Sequence, residues 1–187
     1  MLPGATHLPT IPTERLLLRW LVPSDVPALV AIFGDPEVCR YWSSPTLPDL
    51  AAAEALHAHI VRSFSERRLF QWGIAERATN RVVGTCTLGA ISAEHRRAEV
   101  GFALARSAWG RGYIAEVLPA LVGFAFETLE LHRLEADIDP RNARSIRAVE
   151  RLGFEREGYL RERYHMYGEL QDAVMYGLLR REWTARS

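Results

Sequence analysis

The chain has 187 residues, 48% of them hydrophobic, and its 23 basic and 23 acidic side chains leave no formal net charge. That length predicts one domain, residues 1–187, and the balanced charge gives no field that would draw the chain to nucleic acid or to an anionic membrane. The two cysteines are far apart in sequence and predict no disulfide framework. Residues 1–10 do not have the pattern of a signal peptide, and no apolar run approaches the roughly 20 residues that cross a bilayer. We therefore expect a cytoplasmic protein.

The hydrophobic pattern predicts strands and helices that alternate along the chain. After residues 1–12, which we expect to form a loose N-terminal segment, the elements are a strand over residues 16–20, helices over 24–33 and 50–64, a hairpin over 70–75 and 82–88, a strand over 99–104, a helix over 112–129, a strand over 134–138, a helix over 142–152 and closing strands over 156–166 and 173–179. This order indicates an α/β (α+β) fold, in which one mixed sheet of about seven strands carries helices on both faces.

A glycine-rich turn joins the strand at residues 99–104 to the helix that follows it. The turn contains Trp109-Gly110-Arg111-Gly112-Tyr113. Free backbone N–H groups and the positive end of a helix dipole favour a phosphate at such a turn, and glycine permits close approach of the anion. Ala115 stands where the dinucleotide pattern needs another glycine, and no Gly-Lys-Ser/Thr follows. The turn therefore suits a phosphate-bearing ligand held by the backbone.

A second motif follows the predicted strand at residues 134–138. It runs from Asp139 to Phe154. Asn142 is a good helix N-cap, Ser145 follows it, and the motif ends in Leu152-Gly153-Phe154, where glycine closes the helix. Asn-x-x-Ser and Leu-Gly-Phe, placed after a strand–Gly-x-Gly–helix unit, resemble the GNAT superfamily of acyl-CoA-dependent N-acetyltransferases. The flanking segments at residues 13–19 and 95–99 are similar to the branch that contains ribosomal-protein alanine acetyltransferases and spermidine acetyltransferases.

This resemblance implies a single GNAT-like domain with a mostly antiparallel sheet and splayed central strands. It also implies acetyl-CoA as co-substrate, and no metal. The diphosphate is assigned to the turn, the pantetheine arm to the strand before it, and the far side of the arm to the helix after Asn142. The coenzyme-binding residues assigned in this way are Phe102, Ala103, Leu104, Trp109, Gly110, Arg111, Gly112, Tyr113, Ile114, Ala115, Asn142, Ser145 and Arg147.

Acetyl transfer to an amine needs a base for the amine proton and an acid for the leaving thiolate. Glu99 is the predicted base, because partial burial would raise its pKa toward a useful range; Glu162, Tyr164 and water stay open as alternatives. The resemblance to ribosomal-protein acetyltransferases makes Ser145 the predicted acid. Val149 stands where spermidine acetyltransferases place a tyrosine, which argues against the polyamine reaction.

We therefore predict an N-acetyltransferase that acetylates a primary amine by direct attack in a ternary complex, since neither cysteine belongs to the motifs. The predicted acceptor is a protein N-terminal amine, as in ribosomal-protein alanine acetylation. The alternatives are a small amine (a polyamine, an aminoglycoside or an amino-acid-like metabolite) and a non-catalytic acyl-CoA-binding domain. A homodimer stays open.

Overall fold

Strands and helices alternate along the chain largely in the predicted order. The computed structural model describes residue 2 and residues 4–183. The strands are β1 (Ile11–Pro12), β2 (Leu16–Trp20), β3 (Phe70–Glu76), β4 (Val82–Ser92), β5 (Arg97–Leu104), β6 (Arg133–Ile138), β7 (Glu155–Met166) and β8 (Glu169–Leu179). The α-helices are α1 (Val26–Phe33), α2 (Pro36–Cys39), α3 (Leu50–Ser65), α4 (Tyr113–Gly123) and α5 (Ala143–Glu150).

The strands form one sheet of eight in the order β1-β2-β3-β4-β5-β6-β8-β7. Neighbours are antiparallel except β5 and β6, which are parallel. The predicted mixed, mostly antiparallel sheet is confirmed, but the prediction of about seven strands is one short. The strand that it misses is β1, whose two residues are too few to show an alternating pattern.

The segment before β2 is attached to the sheet along its second half. Leu8 is 1% exposed, and the Pro9 C=O accepts a hydrogen bond of 2.9 Å from Trp72 Nε1. β1 then pairs with β2. Burial of one aliphatic side chain contributes roughly 1.5–3 kcal/mol, enough to fix a short segment. Residues 8–12 therefore belong to the folded core, which differs from the loose segment expected over residues 1–12.

Helices cover both faces of the sheet, as predicted, and each face has its own core. On one face α4 and α5 supply buried side chains such as Val117, Leu121 and Val149. On the other face α1 and α3 supply Ile32 and Ile60 among others. The helix predicted over residues 112–129 changes from α to π geometry at its end, over Phe124–Thr128. In the described part of the chain no helix is both long and apolar enough to cross a bilayer.

The two parallel central strands separate soon after they meet. β5 and β6 are paired at Arg97 with Arg133, at Ala98 with Leu134 and at Glu99 with Glu135. Both strands continue beyond these partners, β5 to Leu104 and β6 to Ile138, without further pairing between them. The predicted splay is confirmed, and it leaves a gap in the middle of the sheet.

Candidate active site

Gly110 and Gly112 give the turn before α4 its shape. Their φ angles are +75° and +76°, in the left-handed region that costs a residue with a Cβ about 1–2 kcal/mol. Gly112 is the N-cap of α4, so the unpaired N–H groups of the first helical turn follow directly, where Ile114 is half-buried and Ala115 exposed. Apart from Gly110 and its two chain neighbours, no heavy atom of the described residues lies within 4 Å of the position that a Cβ on Gly110 would occupy. The turn is therefore open to an approaching anion.

The other side chains of the turn are tied to neighbouring strands. Trp109 Nε1 donates to the Leu104 C=O at 2.9 Å, and the Tyr113 hydroxyl donates to Glu76 Oε1 at 3.0 Å. Arg111 Nη1 lies 3.3 Å from the same Glu76 oxygen. These contacts hold the turn in place, and they leave its backbone N–H groups as the donors best suited to a phosphate.

Alternate residues of β5 turn their backbone polar groups toward the gap beside β6. Just after β5, the Ala105 N–H donates to the C=O of Val83 in β4 at 2.9 Å. Along an antiparallel pair, successive residues direct their backbone polar groups alternately toward the partner strand and away from it. The backbone groups of Phe102 and Leu104 therefore face the gap. Those of Ala103 face β4, so Ala103 does not have the backbone role at the coenzyme arm that the sequence predicts.

Across the gap, α5 begins shortly after β6. Asn142 Oδ1 accepts a hydrogen bond of 3.2 Å from the Ser145 N–H, so Asn142 caps the helix and keeps its side-chain nitrogen as a donor for a ligand. Asn142 and Ser145 are half-buried, and Arg147 is exposed. Val149 is fully buried in the core and offers no polar group.

A cavity of about 140 Å³ lies beside the gap, on the face that carries α1 and α3. Glu99 lines it, because side chains alternate along β5 and Glu99 shares a face with Gly101 and Ala103. The lining is acidic and aromatic, with the carboxylates of Glu99, Asp137, Asp139 and Asp172 and the rings of Tyr41, Trp42 and Tyr164. Ser145 does not line this cavity, so the two predicted catalytic residues lie on different elements with the gap between them.

The Glu99 carboxyl is placed so that it holds a proton more strongly than an ordinary glutamate. Burial raises its pKa, and the negative charges of Asp137 and Glu135 raise it further. Arg163 and Arg97 act in the opposite direction without reversing the shift. A carboxylate with a raised pKa in a cavity is a candidate general base, as the sequence predicts for Glu99.

Tyr164, an alternative base, is held in its protonated form. Its hydroxyl donates to Asp137 Oδ2 at 2.7 Å. Burial, together with this hydrogen bond, raises the pKa of Tyr164 to about 12. At neutral pH the phenol is therefore protonated and is not a base.

Glu162, the other alternative, is turned away by a bulge in β7. Leu160 pairs with Ala173, and Tyr164 pairs with Gln171. Between these pairs β7 advances four residues while β8 advances two, so β7 contains two extra residues that form a bulge. Glu162 adopts a φ of +53° and its side chain is exposed. It does not line the cavity, because the bulge breaks the two-residue alternation that would have placed it beside Tyr164.

The remaining carboxylates of the cavity have partners of their own. Asp139 Oδ2 lies 2.7 Å from Arg141 Nη2 in an ion pair. Asp172 accepts hydrogen bonds from the Tyr159 hydroxyl and the Glu162 N–H, and the Tyr159 bond is the main cause that lowers its pKa. Asp172 is therefore ionised at neutral pH and contributes negative charge to the cavity.

A family model described as an acetyltransferase (GNAT) domain matches residues 15–155. The chain belongs to the GNAT acetyltransferase family. An uncharacterized N-acetyltransferase, p20, of Bacillus licheniformis is 35% identical over 175 residues, covering 94% of this chain and 98% of that protein.

Solved structures of this family have the same fold. The spermidine N-acetyltransferase of Vibrio cholerae, in complex with CoA and spermine, has a TM-score of 0.81 at 21% identity and covers 90% of this chain and 97% of that chain. The ribosomal-protein-S5-alanine acetyltransferase of Vibrio fischeri has a TM-score of 0.80 at 18% identity and covers 94% of this chain and 99% of that chain. At such identities the likeness shows the fold and leaves the acceptor undecided.

Acetyl-CoA is the co-substrate of this GNAT acetyltransferase, and the described residues fit it. The open turn at Gly110 and Gly112 suits a diphosphate, and the gap beside Phe102 suits an extended arm that pairs like a strand. Among the residues that the structure describes, no three His, Cys, Asp or Glu side chains are grouped so that they would hold a metal ion.

The sequence motifs do not identify most of the cavity. Asp137 and Gln171 lie outside the motifs, because β6 and β8 bring them beside β5 through sheet neighbours that are distant in sequence. Trp42 lines the cavity, and its ring also packs against Phe33 at 5.5 Å between centroids. The sequence does contain one signal for this acidic lining, because Glu135, Asp137 and Asp139 recur at every second residue and so place carboxylates on one face of the strand.

Proposed function

We propose that this acetyltransferase acetylates a protein N-terminal amine that enters the cavity beside Glu99. The observation that carries the proposal is the carboxyl of Glu99 itself. It is half-buried, its pKa is raised, and it lies where β5 begins to separate from β6. A base in this position takes the proton from an ammonium group, so that the neutral amine attacks the acetyl group directly.

The other predicted residues are assigned supporting roles. Acetyl-CoA supplies the acetyl group as a thioester when it is bound. The Phe102 N–H, which faces the gap, is proposed to donate to the acetyl oxygen as negative charge develops on it. The Ser145 hydroxyl is proposed to hold the proton that the leaving sulfur receives, and the N–H groups around Gly110 and Gly112 to bind the diphosphate.

The size of the cavity favours a protein terminus over a whole small molecule. Its volume of about 140 Å³ is well below the roughly 300–1,000 Å³ of pockets that enclose small ligands. An amino group and one small side chain fill such a space while the rest of a polypeptide lies outside. Val149, buried and apolar, also lacks the hydroxyl that the polyamine reaction is expected to use.

A polyamine is the second candidate acceptor, and the charge of the cavity favours it. Glu99, Asp137, Asp139 and Asp172 place several carboxylates around one small space. Arg141 forms an ion pair with Asp139, and Arg163 forms one with Asp137 at 3.5 Å. Four carboxylates against two arginines leave an excess of negative charge, which attracts a substrate with more than one ammonium group.

The two acceptors are distinguished by the rate of CoA release. Peptides that begin with Ala or Ser are compared with spermidine, and the same peptides with a blocked N-terminus are the matched control. We expect kcat/KM for the free peptides to exceed that for spermidine at least about tenfold, a difference of 1.4 kcal/mol. Turnover of spermidine alone would establish the second candidate, and turnover of blocked peptides would contradict an N-terminal acceptor.

We also propose that the protein works in the cytoplasm. Cys39 and Cys86 are free thiols and both are buried. Such cysteines persist in a reducing compartment, and burial raises the pKa of both, to about 11 for Cys39.

A further inference from the structure

Glu116, in the first turn of α4, fixes the chain segment that precedes β2. Its Oε1 accepts hydrogen bonds from Thr13 Oγ1 at 2.6 Å and from the Arg15 N–H at 2.7 Å, and its Oε2 lies 2.7 Å from Arg15 Nε. Burial alone would raise the pKa of Glu116, but these hydrogen bonds lower it overall. The carboxylate is ionised at neutral pH, and it holds the Arg15 side chain in one orientation.

The Arg15 guanidinium extends from Glu116 to the glycine turn. Its Nη1 donates to the Arg111 C=O at 3.1 Å. Its Nη2 lies 3.7 Å from the position that a Cβ on Gly112 would occupy, and its carbon lies 5.1 Å from the centre of the Tyr113 ring. Arg15 therefore covers one side of the turn, from a segment that the sequence motifs for coenzyme binding do not include.

The hydrogen bond to the Arg111 C=O determines where the next N–H group is directed. In a trans peptide the C=O of one residue and the N–H of the next point in opposite directions. With the Arg111 C=O directed at Arg15, the Gly112 N–H is directed to the opposite side of the turn. Gly112 has a φ of +76° and no side chain, so little in its own structure would otherwise prevent this peptide plane from rotating.

We infer that Arg15, oriented by Glu116, is a positioning residue for the coenzyme diphosphate. It presets the Gly112 N–H as a donor, so that this part of the backbone need not reorganise when the diphosphate binds. The inference rests on the proposed assignment of the diphosphate to the glycine turn. It adds Arg15 to that assignment, although Arg15 lies 97 positions before Gly112 in the sequence.

The test compares Arg15→Ala with a matched control, Arg77→Ala. Arg77 is an exposed arginine whose Nη1 donates to the Thr13 C=O at 3.0 Å, so it contacts the same segment without reaching Arg111. Acetyl-CoA affinity is measured by calorimetry. We expect Arg15→Ala to raise Kd about tenfold, the loss of one hydrogen bond from a charged donor, and Arg77→Ala to change it less than about twofold.

A phosphate-free substrate separates positioning of the diphosphate from a general structural role. S-acetylpantetheine has the thioester and the arm but no phosphate. We expect Arg15→Ala to raise KM for acetyl-CoA while KM for S-acetylpantetheine and kcat for both stay near the wild-type values. Arg15→Lys, which retains a donor and a charge, is expected to recover part of the acetyl-CoA affinity.

Other results would overturn the inference. An unchanged Kd for acetyl-CoA in Arg15→Ala would do so, as would equal losses with acetyl-CoA and S-acetylpantetheine. If Arg15→Ala does not fold, Arg15→Lys and Glu116→Gln are measured in its place, and unchanged acetyl-CoA affinity in both would have the same meaning. Failure of the wild-type protein to bind acetyl-CoA more tightly than S-acetylpantetheine would instead contradict the diphosphate assignment itself.

Discussion

Glu99 owes its proposed role to its position, because a glutamate on an exposed surface is ionised above about pH 4.3. β5 turns this side chain into the cavity, where burial and the charges of Asp137 and Glu135 all disfavour the ionised form. The same strand directs the Phe102 backbone into the gap. A base and a backbone donor thus come from neighbouring positions on one rigid element.

Glu99→Gln is expected to remove the base without changing the shape of the cavity. We predict a loss of kcat of at least about 10²-fold, the usual contribution of general base catalysis, with acetyl-CoA affinity within about twofold of wild type. Steady-state kinetics and calorimetry measure the two effects. Wild-type kcat in this variant would show that another group or water removes the proton.

The pH dependence of the reaction should report the raised pKa of Glu99. A base acts only when it is deprotonated, so activity is expected to fall as pH falls through this raised pKa, above the range of an ordinary glutamate. Asp137→Asn removes a negative charge that raises the pKa, so the acid limb of the kcat/KM profile should move to lower pH. A shift to higher pH, or none, would contradict this account of the electrostatics.

At the scale of elements, two features produce the proposed coenzyme site: the glycine turn before α4 and the divergence of β5 from β6. Both were predicted from sequence, because Gly-x-Gly between a strand and a helix has few conformations and the family resemblance implies the splay. The bulge in β7 was not predicted. From Leu160 to Tyr164 β7 advances four residues while its partner strand β8 advances two, so the assumption of strict alternation misplaced Glu162.

Gly112→Ala is predicted to affect both stability and coenzyme binding. An alanine at φ +76° costs about 1–2 kcal/mol of the free energy of unfolding, and a shift of the backbone to relieve the strain would misdirect the donors. Gly123→Ala is the matched control, because Gly123 has helical angles. Apart from its chain neighbours and the backbone of its own helix, no heavy atom of the described residues lies within 4 Å of the position that a Cβ on Gly123 would occupy.

The control should be neutral or stabilising by about 0.5–1 kcal/mol, because alanine favours a helix over glycine. Urea denaturation measures stability and calorimetry measures acetyl-CoA affinity. Equal effects of the two substitutions would show that the left-handed conformation of Gly112 is not needed.

At the scale of the whole molecule, the order of the sheet brings the cavity together. Glu99 comes from β5, Asp137 from β6, Tyr164 from β7 and Gln171 from β8. The sequence predicted these strands individually but not their order, because pairing of β6 with β8 is set by long-range packing. For the same reason the contact of Arg15 with Glu116, 101 residues away, left no local signal. The single domain over residues 1–187 and the homodimer stay predictions.

The attachment of the N-terminal segment is a property of the whole fold that mutation can measure. Leu8→Ala should lower the free energy of unfolding by about 2–5 kcal/mol, because the side chain is 1% exposed. Leu170→Ala, at a leucine 60% exposed, is the matched control, with an expected change below about 0.5 kcal/mol. Urea denaturation distinguishes the two, and equal small effects would restore the expectation of a loose segment.

Hydrogen exchange of individual amides, with and without acetyl-CoA, tests the coenzyme site most directly. We predict that acetyl-CoA slows exchange at the N–H groups of Phe102, Gly110 and Gly112 and in the first turn of α4, where the structure leaves donors facing the gap and the open turn. Amides of α3, on the outer side of the other core, should keep their rates. Saturation with acetyl-CoA that leaves exchange unchanged at the turn and along β5 would contradict the account.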